Sequence, residues 1–461
     1  MRIPALKLLL VLLAFVLASS CGSVSVTPSS HTARPVPSPS SAPCAASQAT
    51  QPCYTAPQLE RAYNLKPLYA ERLDGSGTTV VVLAENASPT LTHDLAVFDK
   101  AFHLRTPDIR VVSLTGRQSR FDPASSNDVG GALEVTLDTE AVHAVAPGAK
   151  IVVLVAPSTA DPSGVSSEVE AVYYAAQHHL GQVITTSLGN IGEAALGTAT
   201  IARLDQDLQY AAAQHISVID ASGDFGASSR KTLVGSAGPG CCFTVRMRGY
   251  PASDPLVTAV GATRLHLDAA GNRISPDTVA NDPAVGGASG GGLSTIFHRP
   301  SYQDVVETVV GDHRGGPDVS MSGDLYGGFE MYSTFPNRSD GPPTEGWTSV
   351  GGTSESAPLF AGIAAIIDQA AGRALGPLNP YLYSAYQLPG HGGLVPVTSG
   401  SNSVTIESSS GTSVVVPGYE ATGGYNLATG LGTIDAEAFV RSMAHLGISK
   451  GHTGRTAGVP Q

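Results

Sequence analysis

The feature that most constrains this chain is a repeated alternation of short aliphatic runs with longer amphipathic ones. It begins near Tyr54. Strands are predicted over 79–84, 109–113, 150–156, 182–187, 217–221 and 258–261, and helices over 57–63, 90–101, 132–146, 166–179, 198–214 and 356–372. Strands separated by helices of this length favour a parallel sheet covered on both faces, joined by right-handed crossovers. The fold class expected is therefore α/β, with a mostly parallel central sheet. No internal repeat or boundary interrupts 53–461, so one large domain is expected there, and the stretch 395–416 reads as exposed loop or edge hairpins.

The segment before it has a different character. Arg2 and Lys7 precede an apolar run from Leu8 to Ala18 and small residues up to Cys21, the layout of a secretory signal over residues 1–21 rather than a membrane span. Leu17-Ala18-Ser19-Ser20-Cys21 is similar to a bacterial lipobox, which makes Cys21 a candidate lipid anchor; ordinary signal cleavage is the alternative, since Ala18 stands where leucine is preferred. Residues 22–52 are rich in Ser and Pro and read as a tether, too poor in large apolar side chains to fold. The expected location is extracellular or on the outer face of a bacterial cell membrane.

Charge narrows the partners. With 26 Lys and Arg against 38 Asp and Glu the formal charge is −12, and no basic tract is present, which argues against nucleic acid as a partner. Four cysteines lie beyond Cys21, at 44, 53, 241 and 242. Export permits disulfides; Cys44 with Cys53 is the simple pairing, and because a Cys241–Cys242 bridge would be vicinal, cross-pairing stays open.

Chemistry is concentrated in Gly351-Gly352-Thr353-Ser354-Glu355-Ser356-Ala357-Pro358, where small residues free a serine hydroxyl at the start of a helical run. By itself this is also the pattern of a helix N-cap, and a serine nucleophile needs a base within hydrogen-bond reach. Glu134 and Asp138, four residues apart on a predicted helix, face the same way among apolar neighbours, so crowding raises the proton affinity of one of them. The alternative is a solvated polar stripe. Asp224, in Ser222-Gly223-Asp224-Phe225-Gly226 after a strand, is either a turn residue or, when protonated, a donor to a developing oxyanion.

Taken together these segments resemble the sedolisins, or serine-carboxyl peptidases. Gly351-Gly352-Thr353-Ser354 is similar to that family's Ser-Gly-Thr-Ser, Glu134 and Asp138 ahead of Ala146-Pro147-Gly148-Ala149 to its Glu-x-x-x-Asp and following turn, and Ser222–Gly226 to its Ser-Gly-Asp-x-Gly loop. Tyr54–Leu59, Ser289–Ser294, Arg314 with Pro317–Val319, and Thr429–Gly432 continue the likeness in order across nearly all of 54–461. The resemblance implies a subtilisin-like fold and an acid-acting endopeptidase of the serine type, with catalytic residues Glu134, Asp138, Asp224 and Ser354. Peptides or unfolded proteins are the substrates implied, and the enzyme is expected to be a monomer. A subtilisin reading proper needs a histidine in a His-Gly-Thr context, and none is present; His143 lies nine residues beyond Glu134.

Three departures qualify the likeness. The family's calcium site uses an Asp-Ile pair and a Gly-x-Gly-Trp-Asp turn, matched here by Pro396-Val397 and Thr422-Gly423-Gly424-Tyr425-Asn426, so no calcium or a weak site is expected and no other cofactor. Residues 22–52 are too short and polar to be the family's folded pro-domain. Leu188 stands where many relatives carry an aromatic residue, and Glu85 resembles an accessory family acid. The rival function is a surface-anchored binding or scaffold protein that keeps the fold without turnover.

Overall fold

The computed structural model describes Cys44 and residues 52–116, 120–156, 165–188, 190–231, 239–339 and 344–453. The signal, the Cys21 anchor and most of the tether lie outside the described residues. The strands used below are β1 (Cys53–Tyr54), β2 (Thr79–Ala84), β3 (Asp108–Ser113), β4 (Lys150–Val155), β5 (Val183–Thr186), β6 (Ser217–Ala221), β7 (Val257–Arg264), β8 (Thr278–Val279), β9 (Val319–Ser322), β10 (Gly328–Ser333), β11 (Gly346–Val350), β12 (Val404–Glu407) and β13 (Ser413–Val416). The helices are α1 (Ala56–Ala62), α2 (Leu91–Phe102), α3 (Ser126–Val145), α4 (Val165–Gln177), α5 (Thr198–Ala213), α6 (Thr353–Ala371) and α7 (Ala436–Thr453).

Seven strands run parallel in the order β3-β4-β2-β5-β6-β7-β9, and β8 adds a short antiparallel pairing to β7. Successive side chains on a strand point to opposite faces, and the aliphatic runs accordingly feed two cores. Val80, Val82, Ile151 and Val153 pack with α2, α3, α6 and α7, whereas Val81, Leu83, Val152 and Leu154 pack with α4 and α5. The α/β architecture expected from the alternation is the one observed.

Element bounds match the sequence expectation within a residue or two except at β7, which runs three residues further, to Arg264, and at the two helices that carry the candidate site. α3 starts six residues earlier than predicted, because Ser125 caps it by accepting from the Asp128 N–H and the helix runs through Gly130 and Gly131. It is buried on all sides from Ala132 to Val145, which removes the one-sided pattern that marks a surface helix. α6 starts at Thr353, three residues before the prediction, with Gly352 as N-cap at φ +96°, a conformation glycine adopts without penalty.

Two expectations are refined. The 395–416 stretch does form a hairpin, β12 against β13, but Val404, Ile406 and Val416 are buried against Ala227 and Cys242, so one face of it belongs to a small core. Cross-pairing of the cysteines is not seen: the bridges are Cys44–Cys53 and the vicinal Cys241–Cys242.

Candidate active site

The carboxyl ends of β5 and β6 and the N-terminus of α6 meet at one place, the location where open parallel sheets expose their loops to ligands. β11 delivers the chain to Gly351, and the turn Gly351–Gly352 reverses it into α6. A side chain at Gly351 would overlap the carbonyl oxygen of Asp324, so the glycine that replaces the resembling family's serine is the residue this turn requires. Ser354 is half-buried while its neighbours Thr353, Glu355 and Ser356 are buried. Ser356 spends its hydroxyl on the Ser322 carbonyl at 2.8 Å, which leaves Ser354 as the accessible one.

Glu134 and Asp138, on successive turns of α3, both turn toward this point. The Ser354 side chain comes up to the Glu134 carboxyl and opposes the rise in its proton affinity, and Asp138 lies beside Glu134 with no solvent exposure. Burial raises the proton affinity of both above the ordinary carboxylate range, and the charge of each adjacent acid raises it further. A charge on Glu134 disfavours a second charge on Asp138, so the two carboxyls do not readily ionise together.

Asp224 approaches from the loop after β6. Its Oδ1 accepts from the Thr353 N–H at 2.8 Å and the Thr353 hydroxyl at 2.9 Å, and Thr353 Oγ1 in turn accepts from the Gly223 N–H at 3.0 Å. Desolvation lifts this carboxyl as well, opposed by the Thr353 hydrogen bonds and by Arg230. Asp224 Oδ2 faces Gly352, where a Cβ would stand 2.9 Å from it.

The four residues named from sequence therefore converge. Ser187 was not among the residues expected there. Ser187, at the end of β5, donates to Asp138 Oδ1 at 3.1 Å and lies 3.5 Å from the Ser354 carbonyl. That carbonyl is free for a reason written in the sequence: the helical partner four residues on is Pro358, which has no N–H to give. Glu85 interacts electrostatically with Glu134, Glu168 and Arg230, so it joins a wider set of acids near the carboxyl ends of the central strands. Beyond it Glu168 accepts from Thr186 Oγ1 at 2.6 Å, and Asp220 adds a further buried carboxyl with raised proton affinity. Leu188 packs into the α4–α5 core. His143, also on α3, is turned away to the Arg105 carbonyl at 2.8 Å and Asp99 at 3.2 Å.

The residues matched to the family's calcium loops do not fit a cation. Asn426 Oδ1 accepts from the N–H groups of Ala428 and Thr429 and from the Thr429 hydroxyl, which fixes the amide so that Nδ2 donates to the carbonyls of Val397 (3.3 Å) and Thr422 (3.4 Å). A hydrogen-bond donor thus faces carbonyl oxygens that a calcium ion would need as ligands. Among the described residues the group with metal-ligand spacing is Cys44, Cys53 and Glu330, whose two sulfurs are already joined to each other.

Comparison with known proteins places the chain among the subtilases. The subtilase family model matches residues 125–387. Kumamolisin from Bacillus sp. (strain MN-32) is 33% identical over 398 residues, covering 84% of this chain and 63% of that protein. Human tripeptidyl-peptidase 1 is 32% identical over 281 residues, covering 57% of this chain and 43% of its own length. The chain thus spans less than two thirds of the curated relatives it matches. The solved structure of Pseudomonas sedolisin, a serine-carboxyl proteinase complexed with two molecules of pseudo-iodotyrostatin, aligns with a TM-score of 0.68 at 25% identity, covering 86% of this chain and all of that one.

Proposed function

The chain belongs to the sedolisin, or serine-carboxyl peptidase, branch of the subtilases, and from that premise we propose that it is an acid-acting endopeptidase that cleaves peptides or unfolded proteins through an acyl-enzyme. The observation that carries this reading is the approach of the Ser354 hydroxyl to a buried Glu134 that has Asp138 beside it, while Asp224 comes in from the opposite loop.

In this reading Glu134 takes the Ser354 proton as Oγ attacks the substrate carbonyl, and protonated Asp138, held by Ser187, donates toward Glu134 and keeps it oriented. The tetrahedral oxyanion accepts from protonated Asp224 and from the Ser354 N–H, which lies in the first turn of α6 where backbone donors have no helical partner. Glu134 then passes its proton to the leaving amine, water attacks the acyl ester with Glu134 as base, and the same proton returns to Ser354. Ionised Glu134 with protonated Asp224 is the active combination, so the pH profile is bell-shaped. Burial displaces both groups upward, which places the acid limb above the ordinary carboxylate value of about 4.

The site of action in this reading is extracellular or at the outer cell surface, with Cys21 as a lipid anchor; no described helix is long and apolar enough to cross a membrane. The enzyme acts as a monomer and without calcium, the Asn426 amide holding the two loops together in place of an ion. The functional test is cleavage of an unfolded protein substrate across about pH 4–7, from the ordinary carboxylate value upward, by wild type and by Ser354→Ala. Acid-dependent cleavage lost in the variant supports the reading. Equal background in both favours a binding or scaffold role.

A further inference from the structure

The turn that presents Ser354 is held from below by a small three-stranded sheet, β1-β10-β11, separate from the central one. Tyr54 of β1 pairs with Phe329 of β10, and Phe329 pairs with Val350 of β11, the residue that leads into Gly351. The same Phe329 donates its N–H to Glu355 Oε2 at 3.1 Å. β10 therefore grips the nucleophile turn on both sides, at Val350 before Ser354 and at Glu355 after it. No room is left between them: a Cβ on Gly328 would overlap Glu355 Oε2 and stand 2.8 Å from the Gly351 Cα.

What holds β10 in turn is the N-terminal segment. The Gly328 N–H donates to the Pro52 carbonyl at 3.0 Å, the Tyr54 hydroxyl donates to the Leu265 carbonyl at 2.6 Å, and the Cys44 N–H donates to Glu330 Oε1 at 3.1 Å. β1 is only two residues long, so few hydrogen bonds seat it. The Cys44–Cys53 bridge supplies the remainder by fixing both ends of the contact, Cys44 at Glu330 and Cys53 at Gly328, and so raising the effective concentration of each for its partner.

We propose that the Cys44–Cys53 bridge is a positioning element for Ser354 and that its formation switches the peptidase on. This rests on the peptidase reading above. The step is a two-electron oxidation: two thiols lose two protons and two electrons and one S–S bond forms, while a disulfide-donating oxidant outside the cytoplasm is reduced to two thiols. In a reducing cytoplasm the clip is open and the nucleophile turn unsupported; in the oxidising space beyond the membrane it closes.

The test uses the full chain with Cys241→Ser and Cys242→Ser, so that Cys44–Cys53 is the bridge that responds. Activity on a peptide substrate is compared at pH 5 before and after a phosphine reductant, then after oxidised glutathione at neutral pH and return to pH 5, with circular dichroism and melting followed throughout. The expected result is a kcat loss of roughly tenfold or more, the scale of a small displacement of a reacting group, with KM within about twofold, secondary structure and cooperative melting kept, and kcat regained on reoxidation. Cys44→Ser with Cys53→Ser is expected to show the low kcat permanently. Unchanged kcat after reduction overturns the proposal, as does joint loss of structure and activity, which makes the bridge a stability staple alone. If the oxidised protein shows no Ser354-dependent cleavage, it is the peptidase reading that fails; the rate of Ser354 labelling by a fluorophosphonate still tests the clip, slower labelling on reduction supporting it and an equal rate overturning it.

Discussion

At Glu134 two influences compete, burial and neighbouring acids raising its proton affinity and the Ser354 hydroxyl lowering it, and burial is the larger. A base so placed is protonated through strong acid and becomes effective only as pH climbs past the ordinary carboxylate range. Asp224 carries a different task, and Asp224→Ala is expected to lower kcat by about two to three orders of magnitude with little change in KM, as loss of one oxyanion donor does; steady-state kinetics at the optimum checks this. Gly351→Ser, a change toward the resembling family's own motif, is expected to destabilise by roughly 1–3 kcal/mol, because the new Cβ meets the Asp324 carbonyl and the turn has to shift. A melting temperature equal to wild type contradicts that. Helical spacing put Glu134 and Asp138 on one face but left a solvated polar stripe open; it was the family resemblance that joined them to Ser354. Ser187 and Thr353 were not read as partners of the acids, since their contacts to Asp138 and Asp224 join residues 49 and 129 positions apart.

Among the elements, α6 shows how a local rule and a tertiary contact cooperate. Pro358 removes the N–H that would close the first turn on the Ser354 carbonyl, and the Ser187 hydroxyl lies 3.5 Å from that carbonyl. Both site helices began earlier than their patterns suggested for related reasons: α3 is enclosed and lacks a polar face, and α6 opens on small polar residues that read as a turn. β9, β10 and β11 escaped prediction because Val319–Ser322, Gly328–Ser333 and Gly346–Val350 mix glycine, serine and single apolar residues without a run. Their strand character comes from pairing with β7 and with each other. The loops joined by Asn426 give a prediction at this scale. A chelator is expected to leave melting temperature and activity unchanged, whereas Asn426→Ala, which removes five hydrogen bonds at a buried site, is expected to cost about 2–4 kcal/mol. A fall in melting temperature on chelation contradicts the fit argument.

For the whole molecule the dominant electrostatic fact is an interior rich in carboxyls that burial holds protonated. Glu140, Glu168, Asp220 and Asp254 are all raised, Glu355 is pushed up to about 8 and Asp368 to about 7. Because the folded pKa exceeds the unfolded value of about 4, the folded protein keeps protons that the unfolded chain releases, so the stability from these groups is complete below about pH 4 and is lost as pH rises through their folded values. The exposed Glu71 and Asp268 shift the opposite way, toward less stability in acid, but as solvated surface groups they weigh little. The melting temperature is accordingly expected to fall by on the order of 10 °C between pH 4 and pH 8, and a melting temperature that rises over this interval contradicts the sign. The parallel sheet and its two cores followed from the alternation of aliphatic and amphipathic runs; the acid-loaded interior did not, since composition counts carboxyls without saying which are enclosed. The most direct test of the central claim, a serine activated by a carboxyl pair with no histidine, is the pH dependence of kcat/KM for wild type and Glu134→Gln on one peptide substrate. The account predicts a bell for wild type with its acid limb above about pH 4, and for the variant a loss of about two to four orders of magnitude together with disappearance of that limb. A Glu134→Gln enzyme that keeps wild-type kcat/KM and the same acid limb would contradict it.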